Sequence, residues 1–231
     1  MKTCGILGGM GVDVTGEMIR RILDATEAKR EQDHLPLLIN HNPRIPDRTA
    51  ALLGGGEDAL PALTASVAVL ARAGADFIAI PCNTAHYYYD AIQAATPVPV
   101  LHMLKASVSQ CAVVQPGAAV GLLATTGTVR TGLYQGLLAD AGLALHVPDE
   151  ADQDRVMAGI EAIKSRHGLK AARRDMLAVA ARLISAGAGV ILVGCTDISV
   201  VVRDGDLAVP AVDALSVLAE LIVRTAREDP S

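Results

Sequence analysis

Two of the four cysteines occupy matching positions in two similar stretches of the sequence. Cys82 lies eight residues beyond Gly74 in GADFIAIPCNT, and Cys195 lies eight residues beyond Gly187 in GAGVILVGCT. Each follows an apolar run that predicts a strand and precedes a segment that predicts a helix start, where main-chain amides stabilise a thiolate. A thiol carries protons well when its thiolate forms near the working pH. We therefore predict that both cysteines are catalytic, the alternative being burial as small apolar side chains.

The remaining cysteines lack this pattern. Cys4 falls within a strand pattern and Cys111 within a helix pattern, which predicts small buried side chains. There is no C-x-x-C motif and the cysteine spacing is poor for metal ligands, so no redox motif or metal site is predicted. Scattered cysteines and no export signal predict reduced thiols and a cytoplasmic protein.

The elements that position these residues are predicted as alternating strands and helices. Apolar runs predict strands at TCGIL, LLIN, FIAI, VPVLHM, AAVGLLA, VILVG and LAVPAV. Helices are predicted at 14–29 and 58–74, which each have one apolar face, and near 128–142, 152–165, 170–187 and 214–228. This alternation is typical of parallel sheets covered by helices, so the predicted class is α/β.

A second internal repeat relates GILGGMG, the first strand and its glycine loop, to GLLATTGT in the middle of the chain. Both repeats together predict two pseudo-symmetric α/β domains, residues 1–101 and 102–210, with a C-terminal helix at 211–231 that returns to the first. Ligands of such sheets bind beyond the carboxyl ends of the strands, so we expect the active site in the cleft between the domains.

The glycines of GILGGMG and GLLATTGT are not spaced as in a dinucleotide-binding loop. Neither has the spacing G-x-G-x-x-G, so no nucleotide cofactor is predicted. We expect these glycines to let the backbone approach the ligand closely.

Composition narrows the expected partners. The net charge is -5, no basic cluster occurs, and aromatic residues make up 2% of the chain, which argues against nucleic-acid and anionic membrane surfaces. No apolar run reaches the roughly 18 residues of a membrane span. A small molecule is therefore the expected partner.

The strings LGGMG, NPRIPDRTA, PCNTAH, GLLATTGT and GCTDIS, in this order, resemble the aspartate racemase branch of the aspartate/glutamate racemase superfamily. The resemblance covers essentially the whole chain, including the lysine in GIEAIKS. It implies a two-domain α/β fold, a homodimer and racemisation of aspartate without pyridoxal phosphate. It also implies that Cys82 and Cys195 flank the substrate Cα and exchange roles with its handedness.

The same resemblance implies a set of substrate-binding positions. Arg48 and Lys164 match positions for carboxylate recognition, and the turn Asn83-Thr84-Ala85 matches one that holds substrate. Removing an α-proton builds negative charge beside a carboxylate, and a nearby cation stabilises both. Three loop threonines are further candidate hydrogen-bond donors to a carboxylate: Thr126, Thr128 and Thr196. Helix N-capping is their alternative role.

Several positions keep two interpretations. His86, four residues after the first catalytic candidate, either tunes that thiol or is a buried, hydrogen-bonded histidine. Asp197, two residues after the second candidate, fills a position where the family commonly has glutamate, and helix capping is its alternative role.

The chain also departs from the family at Val12-Asp13, where a proline-containing turn is common. Arg44 replaces a commonly neutral residue, and it either changes the preferred substrate charge or lies on the surface.

Other functions remain open. The nearest is racemisation of glutamate or of a broader set of amino acids. A two-cysteine relative isomerises maleate by adding a thiolate to the double bond, although IPDRT and PCNTAH resemble the aspartate branch more. A non-catalytic dicarboxylate binder would keep the pocket, but it would not exchange the substrate Cα proton with deuterated solvent.

Overall fold

The computed structural model describes residues 1–203 and 205–228. Main-chain contacts divide these residues into two compact units. The first unit comprises Met1–Met103 and the described residues from Leu215 onward, and the second comprises Leu104–Ala214. Residue 204 of the predicted second domain and residues 229–231 of the predicted returning segment lie outside the described residues.

The described elements alternate between strands and helices. The strands are β1 (Cys4–Gly8), β2 (Leu37–His41), β3 (Phe77–Ala79), β4 (Val120–Leu123), β5 (Leu145–His146), β6 (Val190–Val193) and β7 (Ala211–Asp213). The α-helices are α1 (Val12–Ala25), α2 (Arg48–Leu52), α3 (Leu60–Arg72), α4 (Tyr89–Ala94), α5 (Met103–Val114), α6 (Thr126–Arg130), α7 (Gln135–Asp140), α8 (Glu150–Lys164), α9 (Leu169–Ser185) and α10 (Ala214–Arg227). Short 3₁₀ segments occur at Glu31–Asp33, Thr84–Tyr88 and Ile198–Val200.

Each unit contains one parallel sheet. The strand order is β2-β1-β3 in the first unit and β5-β4-β6-β7 in the second. β1, β3, β4 and β6 are buried along their whole length, as expected of strands that helices cover on both faces. The predicted α/β class, with parallel sheets flanked by helices, is confirmed.

Amphipathic helices supply most of the remaining core. In the first unit α1 and α3 pack on the sheet, and the predicted apolar face of α1 is buried through Val14, Met18 and Ile22. In the second unit α8 and α9 pack against each other, and α9 also contacts β4 and β6. Of the helices in the described part of the chain, none is both long and apolar enough to cross a membrane.

Two predicted strands are shorter than expected because proline interrupts them. In the run 98–103, Val100 forms a single parallel bridge with Ile78, and α5 begins at the end of the run. Pro97 and Pro99 have no amide hydrogen to donate to a sheet. In LAVPAV only the residues after Pro210 form a strand, so 211–213 form β7 beside β6 although they begin the segment predicted to return to the first domain. β5 has two residues and α2 has five, and neither was predicted.

Candidate active site

The Cys82 turn lies just beyond the carboxyl end of β3. The Cys82 amide donates to the Ile80 carbonyl at 2.8 Å, and the residue is 7% exposed. The 3₁₀ segment Thr84–Tyr88 follows almost at once, so the expected helix start is present as a tighter turn. Asn83, Thr84 and Ala85, the predicted substrate-binding residues, are all buried in this turn.

His86 is a buried part of the same turn. The Met103 main-chain amide lies 3.2 Å from His86 Nε2, and an amide can only donate, so Nε2 is the acceptor. Nδ1 therefore carries the proton and donates to the Cys82 carbonyl at 2.9 Å. Burial lowers the pKa of His86 to about 4, which leaves the ring neutral at neutral pH. The ring is thus hydrogen-bonded on both sides, and its contact to Cys82 is with the main chain.

The glycine loop after β1 lies beside this turn. Met10 of the loop and Cys82 belong to the same buried apolar cluster. Thr15 Oγ1 accepts the Gly9 amide at 3.0 Å and lies 2.9 Å from His41 Nδ1. A side chain on Gly9 would collide with the Asn42 main chain, and the φ of Gly9 is 93°. These contacts are with protein, so they do not show the close approach to a ligand that the glycine string led us to expect.

Arg48 is buried at the start of α2. Its Nη1 donates to the carbonyls of Pro46 at 2.9 Å and Ile45 at 3.3 Å, while Nε has no hydrogen-bond partner among the described residues. α2 packs against the 3₁₀ segment after Cys82, and Ile45 shares the apolar cluster with Cys82. A buried guanidinium with an unused donor suits an anionic ligand. Arg44, in contrast, is exposed.

In the second unit, the Cys195 turn lies beyond the carboxyl end of β6. The Gly194 amide donates to the Leu123 carbonyl at the end of β4, with an N···O distance of 2.8 Å. Cys195 is 5% exposed, and its Sγ donates to Asp197 Oδ2 at 3.9 Å. Thr196 and Asp197 are buried, and a 3₁₀ segment follows them.

The two cysteine turns occupy equivalent places in their own sheets. β3 pairs in parallel with β1, which carries the glycine loop, and β6 pairs in parallel with β4, which carries the threonine loop. The internal repeats of the sequence therefore correspond to the same arrangement in each unit: a loop and a cysteine at the carboxyl ends of adjacent strands.

The threonine loop after β4 is a helix cap. Thr125, which was not among the predicted residues, is the N-cap of α6: its hydroxyl accepts the Thr128 amide and donates to Thr128 Oγ1, both at 3.1 Å. Thr128 is fully buried, and its hydroxyl oxygen accepts this hydrogen bond from Thr125. Thr126 is only half-buried, and its amide lies 3.2 Å from the Met157 sulfur.

Gln153 of α8 is hydrogen-bonded to this threonine loop. Its Nε2 donates to the Ala124 carbonyl at 3.0 Å and to Thr126 Oγ1 at 3.2 Å. Its Oε1 is buried and has no hydrogen-bond partner among the described residues.

The sequence carries a signal for only one of these two residues. The N-cap pattern could have identified Thr125. Gln153 lies far from every motif, so only the fold reveals its contact.

Lys164 is the last residue of α8 and is half-buried. α8 packs against the 3₁₀ segment that follows Cys195. Ile163, the neighbour of Lys164, belongs to the same apolar cluster as Cys195. The fold therefore packs α8, which Lys164 ends, against the segment that follows Cys195.

The other two thiols differ in their surroundings. Burial raises the pKa of Cys4 to about 12 and that of Cys111 to about 12, so both remain protonated at neutral pH. Cys4 begins β1 and Cys111 lies within α5, as the sequence predicted.

The family model described as Asp/Glu/hydantoin racemase matches residues 7–222. The chain therefore belongs to this family, and the prediction that it is a racemase of this superfamily is confirmed.

Individual relatives cover nearly the whole chain. The broad-specificity amino-acid racemase RacX of Bacillus subtilis is 29% identical over 96% of both chains. The aspartate racemase of Picrophilus torridus is 29% identical, with a TM-score of 0.87 over 98% of this chain and 94% of its own. The glutamate racemase of Francisella tularensis, at 15% identity, has a TM-score of 0.66 over 100% of this chain and 84% of its own, and this likeness concerns the fold alone.

Proposed function

We propose that this chain interconverts the enantiomers of aspartate without pyridoxal phosphate, using Cys82 and Cys195 as the proton-transferring groups. The observation that carries the proposal is the equivalent placement of these cysteines, each at the carboxyl end of a buried strand beside a second loop. Similarity to the Picrophilus torridus aspartate racemase supports aspartate as the substrate.

The reaction needs one thiolate and one thiol. The thiolate removes the Cα proton and becomes a thiol, and the opposite thiol delivers its proton to the other face of Cα and becomes the thiolate. Nothing is oxidised or reduced, and the next turnover in the same direction requires the two sulfur atoms to exchange a proton with solvent. The mechanism also requires the two sulfur atoms to reach opposite faces of Cα. Cys82 serves one enantiomer as base and Cys195 serves the other.

Charge recognition is assigned to Arg48 and Lys164. The carbanion adjoins a carboxylate, so a cation that contacts this carboxylate stabilises the transition state. The buried guanidinium of Arg48, with its unused Nε donor, supports this role. For Lys164 the supporting observation is the contact between α8 and the 3₁₀ segment that follows Cys195.

Hydrogen bonds are assigned to residues of the two cysteine turns and the threonine loop. Buried polar groups beside each thiol can hold the substrate carboxylates and ammonium through side chains and main-chain amides. The proposed residues are Asn83, Thr84, Ala85, Thr126, Thr128 and Thr196.

A broader substrate range is the second candidate function. RacX, which is named a broad-specificity amino-acid racemase, is as similar to this chain in sequence as the Picrophilus torridus enzyme is. A panel of substrates is therefore needed to separate the two candidates.

We further propose that the enzyme is a homodimer. Sedimentation velocity at several protein concentrations tests this proposal, and a monomer at all of these concentrations would contradict it.

One experiment separates these functions. Purified protein is incubated in deuterated water, without added cofactor, with each enantiomer of aspartate, glutamate and several neutral amino acids, and with maleate. Racemisation of aspartate with deuterium at Cα supports the proposal, and comparable rates for many amino acids support the broad-specificity alternative. Conversion of maleate to fumarate, without labelling of any amino acid, indicates an isomerase. Binding by calorimetry without labelling indicates a non-catalytic binder.

A further inference from the structure

We propose that His86 is a positioning residue that fixes the Cys82 turn through the main-chain carbonyl of Cys82. This inference rests on the proposed function only in taking Cys82 as a proton-transferring residue. His86 would act through Cys82, with no contact of its own to the substrate.

The first argument is the geometry of the ring. His86 is 5% exposed, and its two nitrogens bind main-chain groups that are distant from each other in the sequence. Nδ1 donates to the Cys82 carbonyl at 2.9 Å, and Nε2 accepts the amide of Met103, where α5 begins, at 3.2 Å. The ring therefore connects the cysteine turn to the start of α5.

The second argument concerns the protonation state. Two donors cannot face one another, so a protonated ring would lose the Met103 contact, since both nitrogens would then be donors. The ring neighbours are His102, with a centroid distance of 5.5 Å, and Tyr89 at 6.1 Å. Both burial and the charge of His102 lower the pKa of His86. A neutral ring bound to the carbonyl places the turn, and it provides no positive charge with which to stabilise the thiolate.

The third argument comes from the second unit. Ser199, like His86, lies four residues after its cysteine, and it is fully buried. Its hydroxyl donates to Asp213 Oδ1 at 2.6 Å, immediately before α10 begins. In both units, the residue four positions after the cysteine is thus bonded to a residue at the start of a later helix or immediately before it, α5 in the first case and α10 in the second. The hydrogen bond between His86 and Met103 therefore has a counterpart in the second unit, in the bond from Ser199 to Asp213.

Two conservative substitutions separate the two bonds of the ring. The amide nitrogen of asparagine matches Nδ1 in position, so His86→Asn keeps a donor for the Cys82 carbonyl and loses the acceptor for Met103. The amide oxygen of glutamine matches Nε2, so His86→Gln keeps the acceptor and loses the donor. Each variant loses one hydrogen bond, which makes each the matched control of the other.

The readouts are kcat and KM for aspartate racemisation, the melting temperature, and the iodoacetamide alkylation rate of Cys82 measured by peptide mass spectrometry. Cys195 in the same sample is the internal control. In His86→Gln we expect kcat to fall about tenfold or more with KM little changed, and Cys82 alkylation to rise about fivefold or more as the turn loosens. In His86→Asn we expect kcat and the Cys82 rate to stay within about threefold of wild type, although the melting temperature falls.

Some results would overturn the proposal. One is a Cys82 alkylation rate in His86→Gln that is unchanged or lower. Another is an equal rise in both variants, which would indicate general loosening. Alkylation does not depend on turnover. If the wild-type protein fails to racemise aspartate, the proposed function fails, and the alkylation rates still decide whether His86 positions the turn.

Discussion

The thiol of Cys195 donates to the carboxylate of Asp197, with Sγ 3.9 Å from Oδ2. The residue at the corresponding position after Cys82 is Thr84, a neutral hydroxyl. A buried carboxylate disfavours a second negative charge beside it and stabilises the protonated thiol as a hydrogen-bond donor. The two proposed acid–base groups therefore have different electrostatic surroundings, and the Cys195 side is expected to favour the thiol.

Asp197→Asn should therefore make Cys195 more reactive. Removing the carboxylate charge is expected to raise the iodoacetamide alkylation rate of Cys195 at pH 7 about threefold or more, with Cys82 unchanged. Asp175→Asn, which alters a partly exposed carboxylate paired with Arg174, is the control and should change neither rate. A Cys195 rate that is equal in wild type and Asp197→Asn would contradict this account.

Arg48→Ala should impair turnover far more than Arg44→Ala. Arg48 is buried beside the Cys82 turn with an unused donor, whereas Arg44 is exposed. Loss of a charge-assisted contact worth about 1.5 to 3 kcal/mol predicts a drop in kcat/KM of roughly tenfold or more. Steady-state kinetics on both variants, with circular dichroism as a check on folding, provide the test. Equal and small effects would remove Arg48 from the substrate site.

Protonation of His86 should destabilise the protein in mild acid. The pKa is about 4 in the fold against an ordinary value of 6.5, so the unfolded chain binds this proton first. The stabilisation is complete above pH 6.5 and is lost as the pH falls towards 4, by at most about 3 kcal/mol. Urea unfolding at pH 7.0, 5.5 and 4.5 should show a steeper loss for wild type than for His86→Asn. Parallel pH profiles for the two proteins would contradict the assignment.

Cys4 and Cys111 should be dispensable for chemistry. Both pKa values are raised to about 12 by burial, so neither thiol forms a thiolate at neutral pH. Each alanine variant is expected to keep kcat within about twofold of wild type, and neither thiol should be alkylated in native protein at pH 8. A large loss of kcat in either variant, with the melting temperature unchanged, would give that cysteine a chemical role.

The sequence predicted the fold well where apolar runs and glycines act locally. β1, β3, β4 and β6 are continuous apolar segments, and the placement of Cys82 and Cys195 after them follows from chain order alone. Proline limited the prediction elsewhere. Pro99 contributes its carbonyl to the Ile78 amide but has no hydrogen to donate, so an apolar run became a single bridge.

The candidate site was less predictable because its supporting contacts are not local. Gln153 reaches Ala124 across 29 residues, and nothing in its own neighbourhood predicts this bond. The tautomer of His86 is fixed by the amide of Met103, which is 17 residues away. The crowding at Gly9 comes from the Asn42 main chain, a packing contact that the glycine string itself does not predict.

The most direct test of the two-thiol mechanism is the racemisation and Cα exchange of each enantiomer of aspartate in deuterated water by Cys82→Ser and Cys195→Ser. Serine is far less acidic than cysteine, so each variant should lose nearly all racemisation. The remaining thiol can still deprotonate the enantiomer it faces, so each variant should retain slow exchange with one enantiomer, and the two variants should favour opposite enantiomers. Racemisation near the wild-type rate in either variant would contradict the mechanism and make the replaced cysteine structural.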